Sequence, residues 1–533
     1  MHSLDYGFPS GFPYDSRRMP VMARNVVASS QPLAVQAGIR ALREGGNAVD
    51  AALATAITLT VVEPTSNGIG SDVFAILWDG TELHGLNASG RMAAAVTPED
   101  FAGLGEMPLF GWPATTVPGA VSAWVALSER FGRLPFGRLF EDAIEYARGG
   151  FAVSPITARA WAAASPEFRE QEGFHHFLPG GKSPAPGQWF RFPDQAATLE
   201  AIAGTRGEAF YRGELAAEMV ASSKRNGWKL EMSDLTDHRA DWVRPIQQQY
   251  GDIALHEIPP NGQGLAALMM LGIIRHLDVG RFAPDSADSV HLQVEAMKLA
   301  LSDAWQYIAD PDAMTVSVES LLDDGYLASR AALISMEVAR FPDHGFPDRG
   351  GTVYLTAADQ DGMMVSMIQS NYFGFGSGVV VEGTGISMQN RGAGFNLVPG
   401  HPNEAGGGKR PFHTIIPGFV TRDGRPEMSF GVMGGSMQAQ GHAQMVIRIF
   451  NYGQNPQTAS DARRWRVLED LQLHLEEGFD PEVAEELRRR GHRLYDGSPD
   501  EETGFGGAQL IYRADGVYVA GSDHRKDGMA AGF

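Results

Sequence analysis

The chain of 533 residues contains no cysteine. Disulfide bonds, cysteine-based zinc sites and thiol nucleophiles are therefore all excluded. Any covalent catalysis would have to use an oxygen or a nitrogen atom as the nucleophile.

Long apolar runs and an excess of positive charge are missing as well. No stretch approaches the roughly 18 consecutive apolar residues that a membrane-spanning helix needs. The N-terminal segment carries aromatics, prolines and charges where a secretory signal would have a continuous apolar core. With 43 basic and 64 acidic side chains the formal net charge is −21, which would repel a phosphate backbone. We expect a cytoplasmic protein that binds neither membranes nor nucleic acids.

The predicted secondary structure changes character near residue 351. Before this point apolar spacing predicts helices, the clearest over 32–46, 47–64 and 289–311. After it, strands joined by polar turns dominate, with one clear helix over 441–453. The predicted strands cover 352–358, 363–370, 413–420, 427–433, 508–513 and 517–522. Helix-rich and strand-rich parts of similar apolarity indicate layers that pack on each other.

The stretch Asp348–Thr356 carries the first candidate for chemistry. It places Thr352 directly after Gly350 and Gly351, at the head of a predicted strand. A threonine Oγ inside a chain is a weak nucleophile and needs an adjacent base. A cut before Thr352 would supply that base, because the residue would gain a free α-amine. Threonine is also a favoured strand residue, so on these residues alone an ordinary turn and strand remain the alternative.

A second glycine pair, Gly434–Gly435, lies between a predicted strand and a predicted helix. Backbone amides there would sit near a helix N-terminus with no side chain in the way, which suits an oxyanion hole, although the spacing alone favours a plain glycine-rich turn. The adjacent His175 and His176 would point to opposite faces of a strand, so no metal site is predicted. The glycine strings at 68–70 and 374–378 lack the context of a nucleotide-binding loop.

Five segments taken in order carry a resemblance to a known family. They are NAVDAALATAITLTVVEPTSNGIGSDVFA, PPNGQG at Pro259–Gly264, EAMKLALSDAWQYIADP, GTVYLT and FGVMGGS. The chain resembles the γ-glutamyltransferase family of N-terminal-nucleophile (Ntn) hydrolases, and is closer to its oxamate amidohydrolase and cephalosporin acylase-like members. The resemblance extends from about Val27 to the C-terminal Ser-Asp-His-Arg stretch.

The resemblance implies an α/β fold, a four-layer αββα sandwich, made as an inactive precursor. Self-cleavage before Thr352 would give a large helix-rich fragment, 1–351, and a small strand-rich fragment, 352–533. The two fragments should stay associated, since each alone would expose half of a core. The family relation also allows a dimer of such two-fragment units, and implies no metal or cofactor.

The resemblance also implies the catalytic roles. In the precursor Thr352 Oγ would attack the Gly351 carbonyl. In the mature protein the Thr352 amine would act as base while Oγ attacks a substrate amide, with the amides of Gly434 and Gly435 holding the oxyanion. Ser370 falls where the family has a second hydroxyl beside the nucleophile. The resulting acyl group would pass to water or to an acceptor amine.

The substrate-binding positions depart from the family pattern. Arg91 falls where the family's arginine grips the substrate carboxylate, and His413–Thr414 replace a pair of serines that contact it. The residues that hold the substrate α-amine are replaced by Gly394, Arg391 and Tyr372, while Asn371 lies one position away. A guanidinium in place of acceptors disfavours an ammonium group. We therefore expect a substrate that is a small carboxylate-bearing amide, oxamate- or glutaryl-like, without an α-amine.

Two alternatives stay open at this point. One is a genuine γ-glutamyltransferase or glutathione hydrolase with a rearranged pocket. The other is an unprocessed relative that only binds carboxylates, because Gly351 and Val353 differ from the commonest family pattern. The sequence leaves the physiological substrate and the role of the Gly- and Pro-rich loop at 396–410 undefined.

Overall fold

The computed structural model describes residues 17–342, 351–468, 470–497 and 502–533. Asp348, Arg349 and Gly350 of the predicted junction lie outside the described residues. The strands are β1 (Val21–Ala23), β2 (Val26–Ser29), β3 (Asp72–Trp78), β4 (Leu83–Asn87), β5 (Phe151–Ala152), β6 (Trp189–Phe190), β7 (Asp241–Val243), β8 (Ile246–Tyr250), β9 (Ile253–Glu257), β10 (Gly351–Ala358), β11 (Met364–Tyr372), β12 (Val380–Val381), β13 (Ile386–Ser387), β14 (Gly418–Arg422), β15 (Arg425–Met433), β16 (Trp465–Val467), β17 (Leu473–Leu475), β18 (Gly507–Ala514), β19 (Val517–Ser522) and β20 (Met529–Gly532).

The helices surround these strands. They are α1 (Pro32–Arg43), α2 (Ala48–Val62), α3 (Ala120–Phe131), α4 (Glu141–Gly149), α5 (Pro155–Ala162), α6 (Pro193–Thr205), α7 (Glu208–Tyr211), α8 (Glu214–Arg225), α9 (Met232–Thr236), α10 (Gly264–Ile274), α11 (Ala287–Tyr307), α12 (Val318–Leu321), α13 (Asp324–Ala331), α14 (Met437–Val446), α15 (Pro456–Asp461) and α16 (Pro481–Arg489). Within the described part of the chain, none of these helices combines the length and apolarity of a membrane span.

Two seven-stranded antiparallel sheets form the centre of the molecule. Sheet I has the order β1-β19-β18-β15-β14-β9-β8, and sheet II has the order β20-β2-β10-β11-β3-β4-β7. An apolar core that includes Tyr354, Ile368 and Phe419 fills the space between them. Helices α1 to α4 pack on the outer face of sheet II, and α10, α11 and α14 pack on the outer face of sheet I. The expected αββα sandwich is confirmed.

Helix α2 shows how local sequence sets the layers. Asn47 accepts hydrogen bonds from the amides of Val49 and Asp50, and the Asp50 carboxylate accepts one from the Asn47 amide, which closes a capping box. Every residue of α2 is buried. A helix that is apolar on all sides must lie between other layers, and α2 lies between sheet II and the helices α1 and α4.

Both sheets contain strands from either side of residue 351. Sheet I combines β1, β8 and β9 with β14, β15, β18 and β19, and sheet II combines β2, β3, β4 and β7 with β10, β11 and β20. The two parts of the predicted division therefore contribute strands to the same two sheets, while 13 of the 16 α-helices of the described residues precede residue 351. Strand β3 was not predicted, because six of its seven residues are buried and its continuous apolar run lacks the alternation of a half-exposed strand.

The strand predicted over 413–420 is mostly a loop. Only its end belongs to β14, because the preceding backbone groups bond outside the sheet ladder. The His413 amide donates to the Asn261 carbonyl, and the Ile416 amide donates to the side chain of Gln438. Helix α14 begins at Met437, earlier than predicted, so it follows Gly434–Gly435 almost directly. The loop before β14 and the N-terminal end of α14 form two walls of the candidate site.

Candidate active site

Thr352 lies at the start of β10 with its side chain fully buried. Its Oγ1 is 3.0 Å from the Oγ of Ser370 on the neighbouring strand β11. The register changes here, because Gly351 pairs with Tyr372 while Val353 pairs with Gln369, so that two residues of β11 face one of β10. Such a bulge re-aims side chains next to it. It brings together the two hydroxyl groups that were predicted to be neighbours.

The alternation along β10 gives the direction of the Thr352 side chain. Val353 packs against the helices outside sheet II, whereas Tyr354 packs between the two sheets. Residues two apart share a face of a strand, so Thr352 faces inward with Tyr354, toward sheet I. Strand β15 of sheet I ends on that side, at Met433.

The turn after β15 contains Gly434 and Gly435, with φ angles of 132° and 60°. A Cβ on Gly434 would lie 2.9 Å from the Cα of Gly506, so both the conformation and the space require glycine. The turn leads directly into α14, and the N-terminus of a helix favours negative charge. The arrangement suits the predicted oxyanion hole.

Two buried glutamines connect the nucleophile to its surroundings. The Nε2 of Gln438 is 3.4 Å from Thr352 Oγ1, and its Oε1 accepts a hydrogen bond from the Ile416 amide at 3.0 Å. Gln263 donates from Nε2 to the carbonyls of Thr414 and Gly435, at 2.6 and 2.8 Å. Gln438 was missed in the sequence. Its only signal was its place in the first turn of the helix that follows the glycine pair.

His413 is held by two hydrogen bonds. The Ile415 amide donates to its Nδ1 at 3.3 Å, so Nε2 carries the proton and donates to Asp72 Oδ2 at 3.1 Å. Burial, helped by Arg391 and Arg410, lowers the pKa of His413 well below its usual value, and the ring is neutral. Burial raises the pKa of Asp72 to about 7 although Arg391 opposes the shift. Both ring nitrogens are engaged within the protein, and the predicted contact of His413 with a substrate remains a prediction.

Arg391 is a buried cation, and part of its guanidinium group lacks hydrogen-bond partners among the described residues. Its side chain is 1% exposed, its Nη1 donates to Thr414 Oγ1 at 2.8 Å, and its Cζ lies 4.8 Å from the centre of the Tyr372 ring. Burial lowers the pKa of Arg391 to about 10, so it stays charged at neutral pH. Its Nε and Nη2 have no hydrogen-bond partner among the described residues. A buried guanidinium with unpaired N–H groups costs folding free energy unless an anion accepts hydrogen bonds from those groups.

The remaining positions beside Arg391 offer little to an ammonium group. Asn371 accepts a hydrogen bond from the Ser71 hydroxyl at 2.8 Å, which uses one of the two lone pairs of its side-chain oxygen. Tyr372 holds a φ of 81°, rare for a residue with a side chain, with its ring against Arg391. At Gly394 a Cβ would lie 2.5 Å from the Phe412 carbonyl oxygen, which leaves no room for an acidic side chain.

Arg91 contacts other groups of the chain. Its side chain is 43% exposed, and its Nη1 donates to Asp310 Oδ2 at 2.8 Å and to the Gly408 carbonyl at 3.0 Å. These contacts compensate its charge inside the chain. They do not favour Arg91 as the group that grips a substrate carboxylate, and that role remains a prediction.

His175 and His176 also differ from the prediction of opposite faces. They lie in a 3₁₀ turn, Phe174–Phe177, and both approach Glu382, at 3.9 and 3.0 Å. A turn, unlike a strand, can direct adjacent side chains to one side. His175 and Glu382 are exposed and His176 is partly buried.

The comparisons with known proteins agree with this geometry. The family model described as gamma-glutamyltranspeptidase matches residues 34–533. The oxamate amidohydrolase proenzyme of Klebsiella pneumoniae is 36% identical, covering 96% of this chain and 99% of that protein. The glutathione hydrolase-like YwrD proenzyme of Bacillus subtilis is 34% identical, covering 96% and 98%.

A solved structure gives the same result for the fold. The cephalosporin acylase from Bacillus halodurans is 46% identical, covers 99% of both chains and superposes with a TM-score of 0.93. Sequence and structure agree over nearly the full length. The chain therefore belongs to the gamma-glutamyltranspeptidase family, and it is an amidohydrolase of the Ntn-hydrolase type.

Proposed function

We propose that the protein is a self-processing threonine amidohydrolase for small amides whose acyl group carries a carboxylate and no α-amine. One observation carries the proposal. Arg391 is a fully buried guanidinium with two nitrogens that have no hydrogen-bond partner among the described residues, and it shares the loop residue Thr414 with the network around the nucleophile. A carboxylate is the group that a planar guanidinium binds best.

Self-processing accounts for the position of Thr352. Its Oγ would attack the Gly351 carbonyl carbon, and as the Gly351–Thr352 C–N bond breaks an ester forms on Oγ. Water then hydrolyses the ester, which leaves a carboxylate on Gly351 and a free amine on Thr352. The relatives are named as proenzymes, which supports a precursor. The shared sheets described above would keep the two fragments together.

The mature Thr352 provides both nucleophile and base. An α-amine has an unperturbed pKa of about 8, so near neutral pH a useful fraction is free to take the Oγ proton. The glycine turn at 434–435 would hold the oxyanion of the tetrahedral intermediate. The acyl-enzyme would then be resolved by water.

Charge sets the preference against an α-amine. A substrate ammonium held about 4 Å from the Arg391 guanidinium would meet a repulsion of about 4 kcal/mol at an effective dielectric of 20. Gly394 supplies no side-chain acceptor, and the Asn371 oxygen already accepts one hydrogen bond from Ser71. A glutaryl or oxamate-like acyl group avoids this repulsion.

The test starts with the full chain. Denaturing electrophoresis and mass spectrometry of fresh protein should show two fragments, the smaller beginning at Thr352, and the protein should hydrolyse a glutaryl anilide. Thr352→Ser retains the hydroxyl and should still cleave itself. Thr352→Ala should give one intact chain without hydrolysis. An uncut wild-type chain, or hydrolysis that survives in Thr352→Ala, would rule out the proposed mechanism.

A further inference from the structure

We infer that Gln438 is a catalytic residue whose side-chain amide stabilises the charge that develops on Thr352 Oγ1. The inference rests on the proposed function, because it assigns Gln438 to the same nucleophile. It goes further by naming a donor that acts on the attacking oxygen itself, separately from the glycine turn that would hold the oxyanion of the substrate.

The orientation of the Gln438 amide is fixed by its other contact. The Ile416 amide N–H needs an acceptor, so the atom 3.0 Å away must be the Gln438 oxygen. The nitrogen is then the atom that faces Thr352 Oγ1, at 3.4 Å. The side chain is completely buried, so water does not compete for this contact. A primary amide nitrogen only donates, and it cannot serve as a base.

The hydroxyl proton of Thr352 must therefore point elsewhere. Ser370 Oγ, 3.0 Å away, accepts a hydrogen bond from the Tyr372 amide at 2.8 Å and is held in place as the second neighbour of Oγ1. The two contacts have different functions at the nucleophile. Gln438 donates to a lone pair of Oγ1, and the proton of Oγ1 remains accessible to the base.

The chemical step uses this division. In the mature protein the Oγ1 proton passes to the Thr352 amine while Oγ1 forms a bond to the substrate carbonyl carbon. The proton then goes to the leaving nitrogen as the substrate C–N bond breaks, which leaves an ester on Thr352. Negative charge rises on Oγ1 during the attack, and a buried donor is most effective at that moment. Hydrogen bonds to reacting groups are often long before the substrate binds and tighten in the transition state, as the 3.4 Å contact allows.

Gln438 also links the nucleophile to the loop that holds the carboxylate-binding group. Ile416 follows His413 and Thr414, and Thr414 accepts from Arg391. One side chain thus bonds to the attacking oxygen at one end and to this loop at the other. A shift of the loop when a substrate carboxylate reaches Arg391 would be transmitted to the donor on Oγ1.

One isosteric change separates the two roles of Gln438, as donor to Thr352 Oγ1 and as acceptor for the Ile416 amide. Gln438→Glu retains an oxygen for the Ile416 amide, but when ionised it has no donor for Oγ1. At pH 8 we expect kcat for a glutaryl anilide to fall by about 100-fold, as for loss of one oxyanion-hole donor, with KM within threefold of the wild-type value. As the pH is lowered, the ratio of Gln438→Glu activity to wild-type activity should rise, because a protonated carboxyl can donate.

The matched control is Gln444→Glu on the same helix. Gln444 is also buried and bridges the backbone amide and carbonyl of Trp465, but it has no contact with Thr352. Its activity ratio to wild type should be close to one at every pH. If Gln438→Glu fails to fold, Gln438→Met serves instead and should lower kcat and the self-cleavage rate of the folded protein by at least 10-fold, with a lower melting temperature because the Ile416 amide loses its acceptor.

The outcomes separate this inference from the proposed function. An active wild type with a Gln438→Glu or Gln438→Met variant that cleaves itself and turns over within threefold of it would overturn the role of Gln438 alone. A pH-independent loss that appears mainly in KM would do the same, since it would mean that the side chain only supports the loop. A wild type that neither cuts itself nor hydrolyses the anilide would instead overturn the proposed function.

Discussion

Arg391 and Arg464 are buried to the same degree, at 1% and 0% exposure, but their surroundings differ. Arg464 pairs with Asp523 at 2.5 Å and donates to the carbonyls of Phe505 and Ser460, which leaves only its Nε unpaired. Arg391 has one hydroxyl partner, Thr414, and leaves two nitrogens unpaired. The two positions show the same residue type in two kinds of polar environment.

The counter-charges around the two arginines help to distinguish a buried binding group from a buried structural one. Burial lowers the pKa of both guanidinium groups, and nearby carboxylates counteract the shift, Asp523 and Glu476 at Arg464 and Asp72 at Arg391. Arg464 is in direct contact with its carboxylate, which favours stability. Arg391 has no direct ion pair among the described residues, which is the condition that we propose for a ligand-binding group. The predictions below test this division.

The largest effect is expected at Arg464. In Arg464→Met the Asp523 carboxylate would lose one of its two guanidinium partners and keep the contact with Arg525. Breaking a buried ion pair from one side costs about 3 to 5 kcal/mol, which sets the upper end of the expected loss. The midpoint of urea unfolding should fall accordingly. The activity of the remaining folded protein on a glutaryl anilide should be unchanged. A loss below about 1 kcal/mol would mean that Arg525, which also pairs with Asp523, suffices alone.

Arg391 should show the opposite behaviour. Arg391→Met removes a bidentate, charge-assisted contact and should lower kcat/KM for the glutaryl anilide by roughly 100- to 1000-fold, with no loss of stability. Arg391→Lys retains the charge without the planar fork and should fall between the two. Steady-state kinetics and thermal unfolding of the three proteins measure both properties. Unfolding of Arg391→Met at a clearly lower temperature would contradict a ligand-binding role.

Thr414 should matter less. Thr414→Val removes the only hydroxyl acceptor of the Arg391 guanidinium and should lower kcat/KM by about 10-fold, the value of one hydrogen bond to a charged group. Thr414→Ser retains the hydroxyl and is the control. Equal kinetics of the valine and serine variants would show that the Thr414 hydroxyl does not orient the guanidinium.

The smallest effect concerns pH. The pKa of Asp72 is raised to about 7 by burial, so this carboxylate becomes neutral as the pH falls below that value. Arg391 then faces less competing negative charge, and KM for a carboxylate substrate should fall severalfold between pH 8 and pH 6. The same raised pKa contributes stability that is lost as pH rises through about 7. A wild-type KM that does not change with pH would show that the ionisation of Asp72 does not affect carboxylate binding at Arg391.

Much of the fold could be predicted from the sequence because its signals are local. The apolar run of α2 predicted the helix, and the hairpin of β10 and β11 followed from two apolar runs around a polar turn. Strand β3, which is buried on both faces and has no such turn signal beside it, was missed. Thr352 and the glycine pair were candidates from the residues alone, and the resemblance to a family supplied their roles.

The inner parts of the site could not be read from the sequence. Gln438 and Thr352 are 86 positions apart, and Asp72 and His413 are 341 positions apart. Neither pair has a spacing rule, since the two sheets alone bring them together. Arg391 was found as a departure from a family pattern, but only the structure shows that it is buried and that two of its nitrogens have no partner among the described residues.

The most direct test of the central claim compares two substrates that differ by one amine. The mature protein would be given a glutaryl anilide and the corresponding γ-glutamyl anilide under identical conditions, and kcat/KM would be measured for each. The account predicts faster hydrolysis of the glutaryl compound, with the preference lost in Arg391→Met. Faster release from the γ-glutamyl compound would contradict it.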